Sequence, residues 1–289
     1  MSSRLALGTV QFGLAYGVAN QVGQVSRDDA VTILAAARTG GLDTIDTAIA
    51  YGESEACLGA AGVAGWCIVS KLPTLPDDCS DVAGWVAAHI AGSLDRLRVN
   101  RLHGLLLHNP RQLLERHGAA LAAALRAARE DGKVGRIGVS IYAPDDLAAI
   151  YPVLPPDLVQ APLNLVDRRL ADSGWLQRLA DDGVEVHTRS SFLQGLLLMP
   201  QVPARFAPWQ PLWARWQQWC AAHPGQAAAA CLAYPLALPQ VARVIIGVDN
   251  LAQFDELLAA SQALPQAGEL PDLRCADERL INPSLWNTL

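Results

Sequence analysis

Residues 102–140 read LHGLLLHNPRQLLERHGAALAAALRAAREDGKVGRIGVS. An apolar run (102–108) ends on His108, a stretch rich in Ala, Leu and Arg (111–131) follows, and a second short apolar run (136–140) closes the unit. The connection is too long for a hairpin and has the composition of a helix, so the two runs are predicted to be parallel strands joined by a helical crossover.

The same beat extends in both directions. Strand-like runs occur at 5–10, 43–46, 67–72, 102–108, 136–140, 158–163, 184–189 and 242–248. Helix-like stretches lie between them at 26–40, 83–97, 111–131, 144–151, 225–238 and 250–264. Ser26 has the character of an N-cap and Gly40–Gly41 that of a helix stop. Eight alternations predict an α/β protein built as a closed (β/α)8 TIM barrel. An open doubly wound sheet fits less well, because no GxGxxG turn follows the first strand. No linker-like segment divides the chain, so residues 1–289 are expected to form one domain.

Composition sets limits. Of 289 residues, 51% are hydrophobic and 17% charged, which indicates a packed core. A formal net charge of −6 with no Lys/Arg cluster argues against nucleic acid or an anionic membrane as partner. The six cysteines show neither a CxxC pair nor zinc-like spacing, so no metal is expected and free thiols in a cytoplasmic protein are the expectation. A small-molecule partner and a monomeric or small homo-oligomeric state complete the outline.

In a barrel of this kind, reactive side chains belong at the carboxyl ends of strands. Asp46 closes the second run, Tyr51 follows in the next loop, Lys71 lies near the end of the third and His108 ends the fourth. Singly, each has an ordinary explanation: a capping Asp, a packed Tyr, a snorkelling Lys, a structural His. Jointly, three consecutive strands deliver a phenol, an ammonium, a carboxylate and an imidazole to one rim. An ammonium near a phenol lowers its pKa, a carboxylate anchors the ammonium, and an imidazole orients a carbonyl oxygen, which together make a proton-delivery site.

These residues carry a resemblance. DTAIAYG (46–52), SK (70–71) and LLLH (105–108) resemble the tetrad region of the aldo-keto reductases, and EDGKVGRIGVS (130–140) is similar to another segment of that family. The likeness runs from LGTVQFG (7–13) to IIGVDNLAQFDEL (245–257). It implies an NAD(P)H-dependent carbonyl reductase, or the reverse oxidation, with Tyr51 as general acid, Lys71 and Asp46 tuning it and His108 orienting the carbonyl.

The resemblance also implies a cofactor site for NADP(H) or NAD(H). Ser140 and Gln160 match residues that hold the nicotinamide carboxamide, whereas Ile141 stands at the position of an Asn. Thr9 matches a residue on the pyrophosphate and nicotinamide side. Arg189, with Ser190 beside it, stands where an aromatic ring stacks on the nicotinamide; a guanidinium there predicts weaker binding of the oxidised, cationic ring. Gly247, Asp249, Gln253 and Glu256 occupy the segment that holds a 2′-phosphate in NADPH-preferring relatives, and the lack of Lys or Arg there leans toward NADH or dual use.

Trp209, Trp213 and Trp216 fall near helical spacing and are expected to be a packing stripe, with an aromatic substrate wall for a sugar or other ring as the alternative. HPGQ (223–226) reads as a turn and helix start, and the tail 274–286 offers no catalytic chemistry. The short stretch before the first strand leaves little room for the family's N-terminal hairpin, and short loops predict an open pocket. Two rival functions remain: a lyase or aldolase with Lys71 as Schiff-base nucleophile, and a cofactor-binding regulatory subunit with little turnover.

Overall fold

The computed structural model of the chain describes residues 3–288. Eight parallel strands close into a barrel in chain order: β1 (Leu5–Gly8), β2 (Thr44–Asp46), β3 (Cys67–Leu72), β4 (Leu102–Leu107), β5 (Val134–Ser140), β6 (Leu158–Pro162), β7 (Glu185–Arg189) and β8 (Arg243–Gly247), with β8 paired back to β1. The expected (β/α)8 barrel is what these residues form. Met1 and Ser2, where an N-terminal hairpin would begin, lie outside the described residues.

The crossover helices form where the sequence is amphipathic and capped. In the helix Arg27–Thr39 the Ser26 hydroxyl accepts from the Asp29 N–H, and Gly41 exits at φ +81. Ala30, Ile33, Leu34 and Ala37 face inward at helical spacing, each such apolar burial contributing on the order of 1.5–3 kcal/mol for the larger side chains. The core is the jacket between strands and helices; a much smaller cluster of Val69, Leu106 and Leu158 fills the barrel interior.

One expectation is corrected, and one pair of elements is new. The stretch 111–131 is not one helix but a 3-10 turn, Pro110–Leu114, followed by the helix Gly118–Glu130. Glu115 is extended, and a Cβ on Gly118 would lie 1.9 Å from the Leu113 carbonyl oxygen, so the chain doubles back against its own turn. Between β6 and β7 two short helices, Arg169–Asp172 and Trp175–Asp181, carried too weak a period to be foreseen.

Candidate active site

Side chains alternate along a strand, and residues paired in a parallel sheet share a face. The register Gly8↔Asp46, Lys71↔Leu106, Ser140↔Gln160 and Gly8↔Gly247 therefore fixes which residues point into the barrel. At the carboxyl rim the inward set is Gly8, Asp46, Lys71, Ser140, Gln160, Arg189 and Gly247, one from each strand except β4. There His108 follows immediately, its N–H donating to the Leu72 carbonyl. All but Lys71 line a cavity of about 660 Å³, together with Tyr51.

Lys71 is fully buried, and its ammonium donates to both Asp46 carboxylate oxygens (2.8 and 2.8 Å) and to the Thr47 carbonyl (2.9 Å). Those acceptors use all three of its N–H groups. Burial lowers the Lys71 pKa, and the Asp46 carboxylate opposes that shift. Gln160 donates to Asp46 Oδ1 at 2.6 Å and accepts from the Ser140 hydroxyl at 3.3 Å. Its second N–H and second lone pair leave capacity for a carboxamide.

Tyr51 is placed by glycines. A Cβ on Gly13 would fall 1.8 Å from the Tyr51 carbonyl oxygen, and one on Gly52, at φ +53, 2.5 Å from the Gly13 oxygen. The loops after β1 and β2 can approach this closely only with glycine on both sides. Beneath them Ser54 donates to the Thr9 carbonyl, and the Thr9 hydroxyl donates to the Asp46 carbonyl, fixing the base of the loop. Glu55, also buried, accepts from Ser70, Ser93 and Arg96 and ties the helix Ser54–Ala61 to its neighbours.

The Tyr51 and His108 rings meet edge to face at 5.8 Å, and Lys71 Nζ lies 5.0 Å from the centre of the Tyr51 ring. The expectation of a lowered phenol pKa is corrected. Burial and then the Asp46 carboxylate push Tyr51 up, and only the Arg189 guanidinium pulls it down. The ammonium meant to stabilise a phenolate is already neutralised by its carboxylate. Burial, then the Lys71 and Arg189 charges, hold His108 down at about 4, so its imidazole is neutral at physiological pH.

Thr9, Ser190, Gly247, Asp249, Gln253 and Glu256 line the same cavity. Asp249 accepts from Asn20 Nδ2 at 3.0 Å, and its backbone N–H donates to Gln253 Oε1 at 2.8 Å. Two of the cavity's lining residues, Gln11 and Ser191, each hold a buried polar atom, Oε1 and Oγ, without a hydrogen-bond partner among the described residues. Such orphaned polar atoms suit a polar ligand. Among the described residues no group of His, Cys, Asp or Glu could hold a metal ion, and no helix is long and apolar enough to cross a membrane. All six cysteines are free thiols.

The loops depart from expectation. Those after β1 (9–26) and β7 (190–209) are long and meet over the cavity: Gln194 Nε2 donates to the Tyr16 hydroxyl at 2.9 Å. Tyr16, Asn20, Tyr142 and Gln194 line the space and had no signature in the sequence; Gln11, two residues after Thr9 in GTVQFG, was the nearest to legible. Trp209, Trp213 and Trp216 are buried packing residues, Trp213 and Trp216 donating to the Phe206 and Leu197 carbonyls. None of the three lines the cavity, so the aromatic substrate wall is not built from them.

Comparison with known proteins places this architecture. L-galactose dehydrogenase of Arabidopsis thaliana is 25% identical over 295 residues, covering 96% of this chain and 92% of that protein. A Pseudomonas aeruginosa structure assigned to the aldo-keto reductases is similar at 25% identity and TM-score 0.66, covering 91% of each chain. The holo form of an aldo-keto reductase from Bacillus halodurans, at 18% identity, supports the fold alone, with TM-score 0.73 over 93% of this chain and 89% of that one. Barrel, cavity and relatives together define an NAD(P)-dependent oxidoreductase acting on carbonyl and alcohol groups. The sequence profile of the Aldo/keto reductase family matches residues 4–270, and the chain belongs to that family.

Proposed function

We propose that the protein reduces an aldehyde or ketone to an alcohol, or runs the reverse oxidation, with Tyr51 as the proton donor and acceptor. The observation that carries this reading is the Tyr51–His108 pair facing the cavity above a buried Lys71–Asp46 ion pair. A nicotinamide cofactor held by residues such as Ser140 and Gln160 would supply or accept the hydride at the carbonyl carbon. His108, neutral, orients the carbonyl oxygen, and Tyr51, its phenol held protonated, passes its proton to that oxygen as negative charge develops there. Lys71 and Asp46, paired with each other, fix the floor of the site below the phenol. In the oxidative direction Tyr51 takes the proton back.

Cofactor contacts are assigned to Thr9, Ser140, Gln160, Arg189, Ser190, Gly247, Asp249, Gln253 and Glu256. Asp249 and Glu256 on the wall would repel a 2′-phosphate, which favours NADH or dual use. Arabidopsis L-galactose dehydrogenase is named for a sugar; a sugar or related ring is one substrate class for the present cavity. A Schiff-base role for Lys71 fits poorly, since the amine lies outside the cavity wall with every N–H engaged.

The test is Tyr51→Phe. Carbonyl reduction followed by NAD(P)H absorbance should fall about 10²–10⁴-fold while cofactor affinity is retained. Activity that survives the substitution removes Tyr51 from the mechanism.

A further inference from the structure

Along β7 the inward side chains are Glu185, His187 and Arg189, from the amino end of the barrel to the rim. Glu185 and His187 bond each other at 2.7 Å. Arg189 is different: no carboxylate among the described residues forms an ion pair with it. Its guanidinium is nevertheless held firmly. Nη2 donates to the Ile141 carbonyl at 3.0 Å, Nη1 donates to the Ser190 hydroxyl at 3.2 Å, and one face lies 4.3 Å from the centre of the Tyr142 ring.

The remaining N–H groups of the five have no partner among the described residues, and the side chain lines the cavity beside Tyr51 and His108. Ser190, which helps to hold it, has φ +64, and its carbonyl accepts from Asn164 Nδ2 at 3.0 Å. A left-handed non-glycine residue is a local cost that the surrounding hydrogen bonds must offset. The chain thus spends backbone strain where it presents this cation.

The charge balance at this end of the cavity follows. Lys71 and Asp46 cancel, His108 is neutral, and the carboxylates Asp249 and Glu256 belong to the β8 end. Arg189 leaves an uncompensated positive charge within reach of the reacting groups, one whose field is felt at Tyr51, Lys71 and His108. A planar fork of N–H donors in a partly enclosed apolar and aromatic pocket matches a carboxylate.

Resting on the carbonyl-reductase reading, we propose that Arg189 is a carboxylate receptor and that the substrate is an oxo acid, an aldehyde or ketone carrying an anionic group. The carbonyl lies against Tyr51 and His108 while the carboxylate meets the free edge of the guanidinium. In this reading the guanidinium meets the carboxylate by its edge and a cofactor ring by a face, so edge and face serve different ligands.

The test uses Tyr51→Phe protein saturated with reduced cofactor, which keeps the guanidinium and slows turnover. Titration calorimetry compares 4-carboxybenzaldehyde with its neutral isostere 4-formylbenzamide. The anionic aldehyde should bind about ten- to a hundredfold more tightly. That advantage should vanish when Arg189→Met is added and return in part with Arg189→Lys. Equal affinities, binding of neither aldehyde, or an unchanged ratio in Arg189→Met would overturn the proposal, including the case in which Arg189→Met weakens only the cofactor. Turnover persisting in Tyr51→Phe would instead strike the acid assignment, while the ratio of affinities (from KM values in that case) still decides Arg189.

Discussion

The two ends of the barrel both hold charged residues indoors, yet they are built to opposite rules. At the amino end, Glu185 is bonded by Arg136 (2.8 Å), His103 (3.1 Å) and His187 (2.7 Å), and Arg243 pairs with Asp43 (3.1 Å) and donates to Thr44 (3.0 Å). Apart from His187 Nδ1, which lacks a partner among the described residues, the layer is closed on itself. At the carboxyl end, Lys71 and Asp46 are equally well paired, but Tyr51, His108 and Arg189 turn groups toward the cavity, and Gln11 and Ser191 leave polar atoms unmet. A saturated polar layer is scaffolding, while an unsaturated one awaits a ligand.

The sharpest way to break that contrast is Lys71→Met. It should abolish activity and also destabilise the fold, by about 3–5 kcal/mol in denaturant titrations, because it leaves the Asp46 carboxylate buried without its counter-ion. If stability is untouched while activity is lost, the pair belongs to the chemistry alone.

Glu185→Gln is the converse. Burial pushes the Glu185 carboxyl up, but hydrogen bonds from His103 and His187 outweigh it and hold the carboxyl well below its usual range. A depressed folded-state pKa contributes stability that is present above the ordinary Glu value near ~4.3 and lost as pH falls toward the folded-state pKa. The variant should therefore be less stable by about 1–3 kcal/mol at neutral pH, and the gap should narrow only in acid below pH ~4. Thermal melts across pH check this, with kcat/KM unchanged. Lost turnover would show that the amino end is more than scaffolding.

The smallest effect sharpens the ligand side. Asp249→Arg should shift the ratio of kcat/KM for NADPH over NADH upward by about tenfold, through a charge-assisted contact to the 2′-phosphate. A wild-type enzyme already strongly selective for NADPH would show that the wall near Asp249 and Glu256 does not discriminate.

Much of the contrast was legible in the chain. Strand ends at Asp46, Lys71 and His108 were readable because a costly side chain at the end of an apolar run is rare without a purpose. The Ser26 cap and the Gly40–Gly41 stop were readable because capping is local. The pairing of Gln194 with Tyr16, 178 residues apart, left no local trace, nor did Asn20 reaching Asp249 across 229 residues. The Tyr51 pKa was misjudged for a related reason. Sequence supplied an ammonium close by in type but not the geometry that spends all its N–H groups on Asp46 and Thr47.

By itself, the sequence indicated the barrel and the strand-end residues Asp46, Lys71 and His108, since short apolar runs, capped helical stretches and costly polar side chains at run ends are each read over a few residues. The tertiary structure alone decided which charges cancel and which remain. Barrel closure brings β7 opposite β2 and β3, and only then is Lys71 seen to be neutralised while Arg189, from the same rim, keeps its charge in the cavity. Electrostatic balance depends on distances between residues far apart in the chain, and no local pattern encodes them.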